Sequence, residues 1–250
     1  MKRILFTAVF STISVLSFAQ KAVEFSINPE IGKKLPVTLL IKTDVEGPQS
    51  MIMDMTLNMS LTPTKNENNV FTIDNTTESV KVDIDAGMMV VNYDSQMEPK
   101  DEISKAMASQ FGKLIGQTII TKVDNKGKTL DVQLPEDMLQ GIDKETFTSM
   151  TPSLPATAVK PGDTWTTTNE INNEMIGKME LISTYKEETD LGYVVDITGK
   201  IFNPSNSEIG SLSGTYLLDK TTHFTKESKL KSTFELQGTK IISDITATIQ

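Results

Sequence analysis

The stretch Met51-Ile52-Met53-Asp54-Met55-Thr56-Leu57-Asn58-Met59-Ser60-Leu61 alternates apolar and polar side chains with a period of two. Met51, Met53, Met55, Leu57, Met59 and Leu61 fall on one side, and Asp54, Thr56, Asn58 and Ser60 on the other. Ile52 is the one apolar residue out of place. Successive side chains of an extended chain point to opposite faces, so this pattern specifies a long strand buried on one face and wet on the other. Pro63 is expected to end the strand, and Lys65-Asn66-Glu67-Asn68-Asn69 to turn the chain.

Phe71 and Ile73 begin a return strand, but Val80, Val82 and Ile84 continue it on the opposite parity. That slip predicts a bulge or break between Asn75 and Glu78. Asp85-Ala86-Gly87 then turns the chain into residues 88–93. Ile103, Met107, Phe111 and Leu114 are spaced four, four and three residues apart, one face of an amphipathic helix. The helix is expected near residues 99–115. Pro99 suits its first turn, Asp101 and Glu102 its positive end, and Gly116 its close. Residues 117–123 and 129–134 form a hairpin about Asp124-Asn125-Lys126-Gly127. Residues 135–150 read as short helical or irregular pieces, and the Pro-rich 151–163 as a linker. Beyond it, period-2 segments around Trp165, Met179–Tyr185, Tyr193–Ile201, Tyr216–Leu218, Leu230–Leu236 and Ile241–Ile249 continue as antiparallel hairpins.

The fold is therefore expected to be mainly β (α+β): curved antiparallel sheet, with the 99–115 helix packed on an apolar sheet face. The expected units are a β-rich half with the helix at 20–150 and a β-rich half at 151–250, or one continuous domain over 20–250. Each half has a long strand, a polar turn, a returning strand and a short apolar strand ending in Asp94 or Asp219. Either a duplication or a plain meander of hairpins accounts for that likeness.

Residues 1–19 have the three parts of a secretory leader: basic Lys2 and Arg3, an apolar run over 4–18, and small Ser17 and Ala19 before a cut at Gln20. About 15 apolar residues are too few for a span of roughly 20, so no membrane span is expected after cleavage. The expectation is an exported protein, periplasmic or extracellular. Losing Lys2 and Arg3 takes the net charge from −9 to −11. Such an acidic chain disfavours nucleic acid, whose binding needs concentrated Lys and Arg. With no cysteine, the sequence offers neither disulfides nor a lipid-bearing thiol.

Catalytic chemistry finds few residues to work with. His223 is the single histidine, placed near a hairpin turn, where it reads as a solvated polar side chain. Without a second base or any thiol, nucleophilic triads and zinc clusters have no material. Asp124-Asn125-Lys126-Gly127-Lys128 lacks the alternating oxygens and terminal glutamate of a calcium loop. No enzyme activity, cofactor or metal is expected. The methionines are the unusual feature, and three readings compete: a filled core, the adaptable wall of an apolar cavity, or a thioether site for Cu(I). Alternation spreads the sulfurs along the sheet, which counts against the last. If the wall reading holds, Met53, Met55, Met59, Met107 and Phe111 are the candidate ligand-binding residues. The expected function is then a non-enzymatic exported binding protein for an apolar small molecule or lipid. The alternative is a structural component of the cell envelope, with a protein partner and no ligand cavity.

Three islands carry a family likeness: Val91-Asn92-Tyr93-Asp94-Ser95, then Gly112-Lys113-Leu114-Ile115-Gly116 leading into the 119–132 hairpin, then Leu154-Pro155 followed by Lys160-Pro161-Gly162-Asp163-Thr164-Trp165. In this order they resemble an uncharacterised family of bacterial exported and lipid-anchored proteins, a group of unknown function. The resemblance implies no activity and no catalytic residues. At the level of fold, the chain is also similar to periplasmic lipoprotein carriers, in which helices lie against the concave face of a curved sheet; fold alone implies no function.

Overall fold

The computed structural model describes residues 21–48, 50–135, 153–171 and 175–250. Residues 1–19, expected to be a secretory leader, and nearly all of the 135–150 segment lie outside the described residues. The alternating stretch forms β2 (Met51–Glu67), paired with β1 (Leu35–Glu46) on one side and β3 (Val70–Asp85) on the other. Contrary to the expected stop at Pro63, β2 runs through it. The Gly32 amide donates to the Pro63 carbonyl at 2.7 Å, on the side where β1 has already ended at Leu35 opposite Leu61. The missing Pro63 N–H points the same way, so no ladder partner is lost. The turn shrinks accordingly to Asn68 and Asn69, both at positive φ (54° and 64°), the geometry of a two-residue hairpin loop.

The parity slip in β3 is a bulge in an unbroken strand. Asn58 faces Ser79 and Met59 faces Thr77, so Glu78 is the extra residue. One inserted residue keeps Phe71, Ile73 and Asn75 on the same face as Val80, Val82 and Ile84. β3 also has two successive neighbours on its far side. β5 (Thr118–Asp124) pairs with Val70–Thr76, and β4 (Val90–Asp94) with Lys81–Asp85. β6 (Thr129–Gln133) adds outside β5.

The helix between β4 and β5 is α1 (Glu102–Phe111), shorter than the four turns expected over 99–115. It starts late because Asp101 is its cap, accepting from the Ser104 amide at 2.8 Å and the Ser104 hydroxyl at 2.7 Å. It ends early because the Gly116 amide bonds the Thr77 carbonyl at 2.8 Å, drawing Leu114 and Ile115 off the helix and onto β3. Met107, Ala108 and Phe111 meet a cluster at the β3–β4 end of the sheet built on Val80, Val82 and Tyr93. The Phe111 ring stacks on Tyr93 at 5.8 Å. Ile103 stays exposed, and Ser104 alone of the helix is fully buried. The helix thus meets the sheet at one corner.

The second half is a meander: β7 (Thr164–Glu170), β8 (Lys178–Thr189), β9 (Gly192–Phe202), β10 (Glu208–Leu218), β11 (Thr225–Leu236) and β12 (Thr239–Ile249). β12 returns to pair with β1 over ten residues, Val37 with Ile249 through Glu46 with Lys240. Both halves therefore belong to one curved antiparallel sheet, in the order β6-β5-β3-β2-β1-β12-β11-β10-β9-β8-β7. The proposed repeat units end differently: β4 pairs five residues of β3, whereas β10 pairs β9 along nearly all of its length.

The two flanks of the sheet are tied at one end by the segment before β1. The Ile27 amide donates to the Asn125 carbonyl in the β5–β6 turn (2.9 Å). The Asn28 amide donates to the Thr222 carbonyl in the β10–β11 turn (2.8 Å), and Val23 bridges to Val159. Phe25, with no exposed surface, is central to this end. Its cluster takes Phe71, Ile73 and Val123 from one flank and Tyr185, Val195, Ile197, Tyr216 and Leu218 from the other. Ser153 and Leu154 belong there too: Leu154 donates to the Lys126 carbonyl (2.7 Å), and the Trp165 indole donates to the Ser153 carbonyl (2.7 Å).

Candidate ligand cavity

The inner face of the sheet is filled unevenly. Over β8, β9 and β10 its residues are buried: Leu181, Tyr185, Val195, Ile197, Tyr216 and Leu218. Over β1, β2 and β12 the facing rows are only half-buried, Val37 excepted. Strand register sets these rows: Ile245–Ile41–Met55–Val82, then Ala247–Leu39–Leu57–Val80, then Ile249–Val37–Met59–Thr77. Cross-strand neighbours of this kind form a continuous apolar surface. Against it lies a cavity of about 400 Å³, within the size range of small-molecule sites.

Leu39, Ile41, Met55, Leu57, Met59 and Leu61 form one wall of the cavity. Ile73, Ile119, Val123 and Leu114 form another, and Ile27, Leu154, Leu218, His223 and Phe224 close the tied end. Polar groups are few. The Asn75 amide is fully engaged, donating to the carbonyls of Ile73 and Ile119 and to the Thr121 hydroxyl, each at 3.0 Å.

Of the sequence candidates, Met55 and Met59 line this cavity. Met53, Met107 and Phe111 do not; they pack with Val80, Val82 and Tyr93 in the neighbouring cluster. Met88, Met89 and Val90 stand exposed at the β3–β4 turn, with Ile52 exposed nearby across the strand pairing. A second hollow of about 470 Å³ near α1 is lined by charged and polar side chains, among them Lys81, Asp83, Asp94, Glu98 and Lys100. Among the described residues, no group of three or more His, Cys, Asp or Glu is arranged to hold a metal ion, and no helix is long and apolar enough to cross a membrane.

The residue that sequence reasoning missed is His223. It does sit in a hairpin turn, between β10 and β11, but it is half-buried, not solvated. Its backbone is left-handed (φ 50°). Asp219 holds that turn: one carboxylate oxygen accepts from the Thr221 and Thr222 amides at 2.9 Å each and from the Thr222 hydroxyl at 3.1 Å. Partial burial alone would raise the Asp219 pKa; these bonds and the Lys226 charge outweigh it and hold the carboxyl below its ordinary value. The imidazole lies edge-on to Phe25 at 5.3 Å and 5.5 Å from Tyr193. The Ser26 amide donates to its Nδ1 at 3.0 Å. Nothing near His223 in sequence announces this, because Phe25 and Ser26 lie almost 200 residues away and Tyr193 lies two strands back.

Comparison with known proteins adds a partial family match and a likeness of fold. Residues 143–243 match the family of unknown function DUF6263. That span contains Leu154-Pro155 and the 160–165 island, while the two earlier islands lie outside it. Curated proteins give no match. Among solved structures, the sheet is similar to part of lipovitellin, in a structure describing lipid–protein interactions: TM-score 0.52 and 10% identity, over 88% of this chain and 25% of that one. This chain thus spans about a quarter of that protein, and the likeness is one of fold. A LolA superfamily protein from Nitrosomonas europaea matches over 88% of this chain and 87% of its own, at 10% identity and a TM-score of only 0.25.

Proposed function

We propose that this chain is a non-enzymatic exported protein that binds an apolar or lipid-like ligand in the cavity along β1, β2 and β3. The observation that carries the reading is the 400 Å³ of space against Met55, Leu57, Met59, Leu39 and Ile41. Leaving such a surface uncovered forgoes about 25 cal/mol for every Å² of apolar area kept from burial. A ligand that fills the space recovers that free energy, and flexible methionines adapt to its shape. The fold likeness to lipovitellin, whose structure describes lipid contacts, is in keeping with this. The envelope-component alternative requires a packed interior at this point.

Titration with N-phenyl-1-naphthylamine, a neutral apolar dye, tests the reading. Saturable one-to-one binding with a blue-shifted emission supports it; absence of saturable binding to folded protein refutes it. Export is tested separately by the mass of the chain recovered from its source cells, which should begin at Gln20.

A further inference from the structure

We infer that His223 anchors the head of the ligand, so that the cavity takes a long-chain amphiphile whose head group accepts a hydrogen bond. The inference rests on the cavity reading and deepens it. Both the Ser26 amide and the Ser26 carbonyl lie 3.0 Å from Nδ1. The amide can only donate, and its bond, taken as the one made, puts the imidazole proton on Nε2. Among the described residues no hydrogen bond reaches Nε2, and the atom is not sealed from solvent. His223 lines the closed end of the cavity, and Phe25 and Tyr193 hold its ring. Thr225 lines the cavity beside Phe224, and among the described residues no hydrogen bond reaches its hydroxyl. The wall towards Met59, Leu57 and Met55 is apolar. An apolar pocket with a few donors at one end orients an amphiphile: the chain lies along the methionine wall and the head meets His223 and Thr225. A neutral Nε2–H donates equally to a carboxylate, a carbonyl or an ester, so the shared requirement is an acceptor.

The experiment compares two soluble probes of equal chain length on the full chain. Dodecanoate has an acceptor head; dodecyltrimethylammonium has neither donor nor acceptor. In His223→Phe, dodecanoate should bind about tenfold more weakly than in wild type, a typical loss for a hydrogen bond to a charged group, while the cation changes less than about twofold. Equal losses for both probes, or no loss for either, overturn the anchor and leave the cavity reading standing. Failure of both probes to bind wild-type protein overturns the cavity reading as well. A second measurement needs no variant. The single histidine gives one imidazole spin system in protein labelled with 15N-histidine. The expected spectrum is the neutral Nε2–H tautomer, with an Nε2 shift that moves on adding dodecanoate. An Nδ1–H tautomer, donating to the Ser26 carbonyl 3.0 Å away, or an Nε2 shift indifferent to bound dodecanoate, overturns the proposal.

Discussion

Ser26 and His223, 197 residues apart in sequence, meet through a 3.0 Å hydrogen bond from the Ser26 amide to the imidazole Nδ1. That contact lies where the segment before β1 crosses between the two flanks of the sheet, beside the same Phe25 ring that faces His223. The tied end is both the structural clamp of the fold and the closed end of its cavity.

Phe25 is the centre of that clamp, with Tyr185 and Tyr193 edge-on at 5.3 and 5.2 Å. Phe25→Ala should destabilise the protein by about 3–5 kcal/mol, the range for a large aromatic removed from a packed core. Urea unfolding followed by intrinsic fluorescence measures it. A loss under about 1 kcal/mol would mean the flanks hold together without this segment.

Glu78 matters through its backbone, not its carboxylate. Its ion pair with Lys34 (2.6 Å) is solvent-exposed, and such pairs contribute about 0–1 kcal/mol. Glu78→Ala should therefore melt within a few degrees of wild type. Deleting Glu78 should abolish the cooperative melt, because without the bulge either Phe71 and Ile73 or Val80 and Val82 turn to the outer face. A deletion variant that melts normally would contradict the bulge assignment.

Asp219 gives a pH dependence of known sign. Its folded-state pKa lies below its unfolded value, so the ionised carboxylate stabilises the fold above the ordinary carboxylate range near pH 4. That contribution fades as the pH falls through the lowered folded-state pKa. Asp219→Asn should cost about 1 kcal/mol at pH 7, and the gap to wild type should close under acid. Thermal melts at pH 7 and pH 3 measure it; a gap that widens on acidification contradicts the assignment.

Ile41 faces Met55 across the β1–β2 ladder and lines the cavity. Ile41→Trp should occupy ligand space and weaken dye binding by about tenfold or more, with the far-UV circular dichroism unchanged. Unaltered affinity would place the bound dye elsewhere.

Much of this architecture is legible in local pattern. Alternation at Met51–Leu61 fixes the inward face of β2, and the parity slip before Val80 marks the bulge, since each depends only on neighbouring residues. Length and closure are not local. β2 passes Pro63 because β1 has ended, and α1 stops at Phe111 because Thr77 claims the Gly116 amide. The methionine stripe identifies a surface without dividing it: Met59 lines the cavity, Met55 borders both the cavity and the cluster that Met107 and Phe111 cover, and Met53 meets that cluster alone. His223 could not be found this way, because its environment is assembled from Ser26, Phe25 and Tyr193.

Native mass spectrometry of the protein purified from its source cells, without detergent or denaturant, tests the cavity reading most directly. The expected spectrum shows a discrete excess mass, released on collisional activation as one long-chain amphiphile per chain. Stripped protein should take up one dodecanoate. Repeated spectra at the mass of the bare chain, before and after incubation with dodecanoate, would contradict the cavity reading.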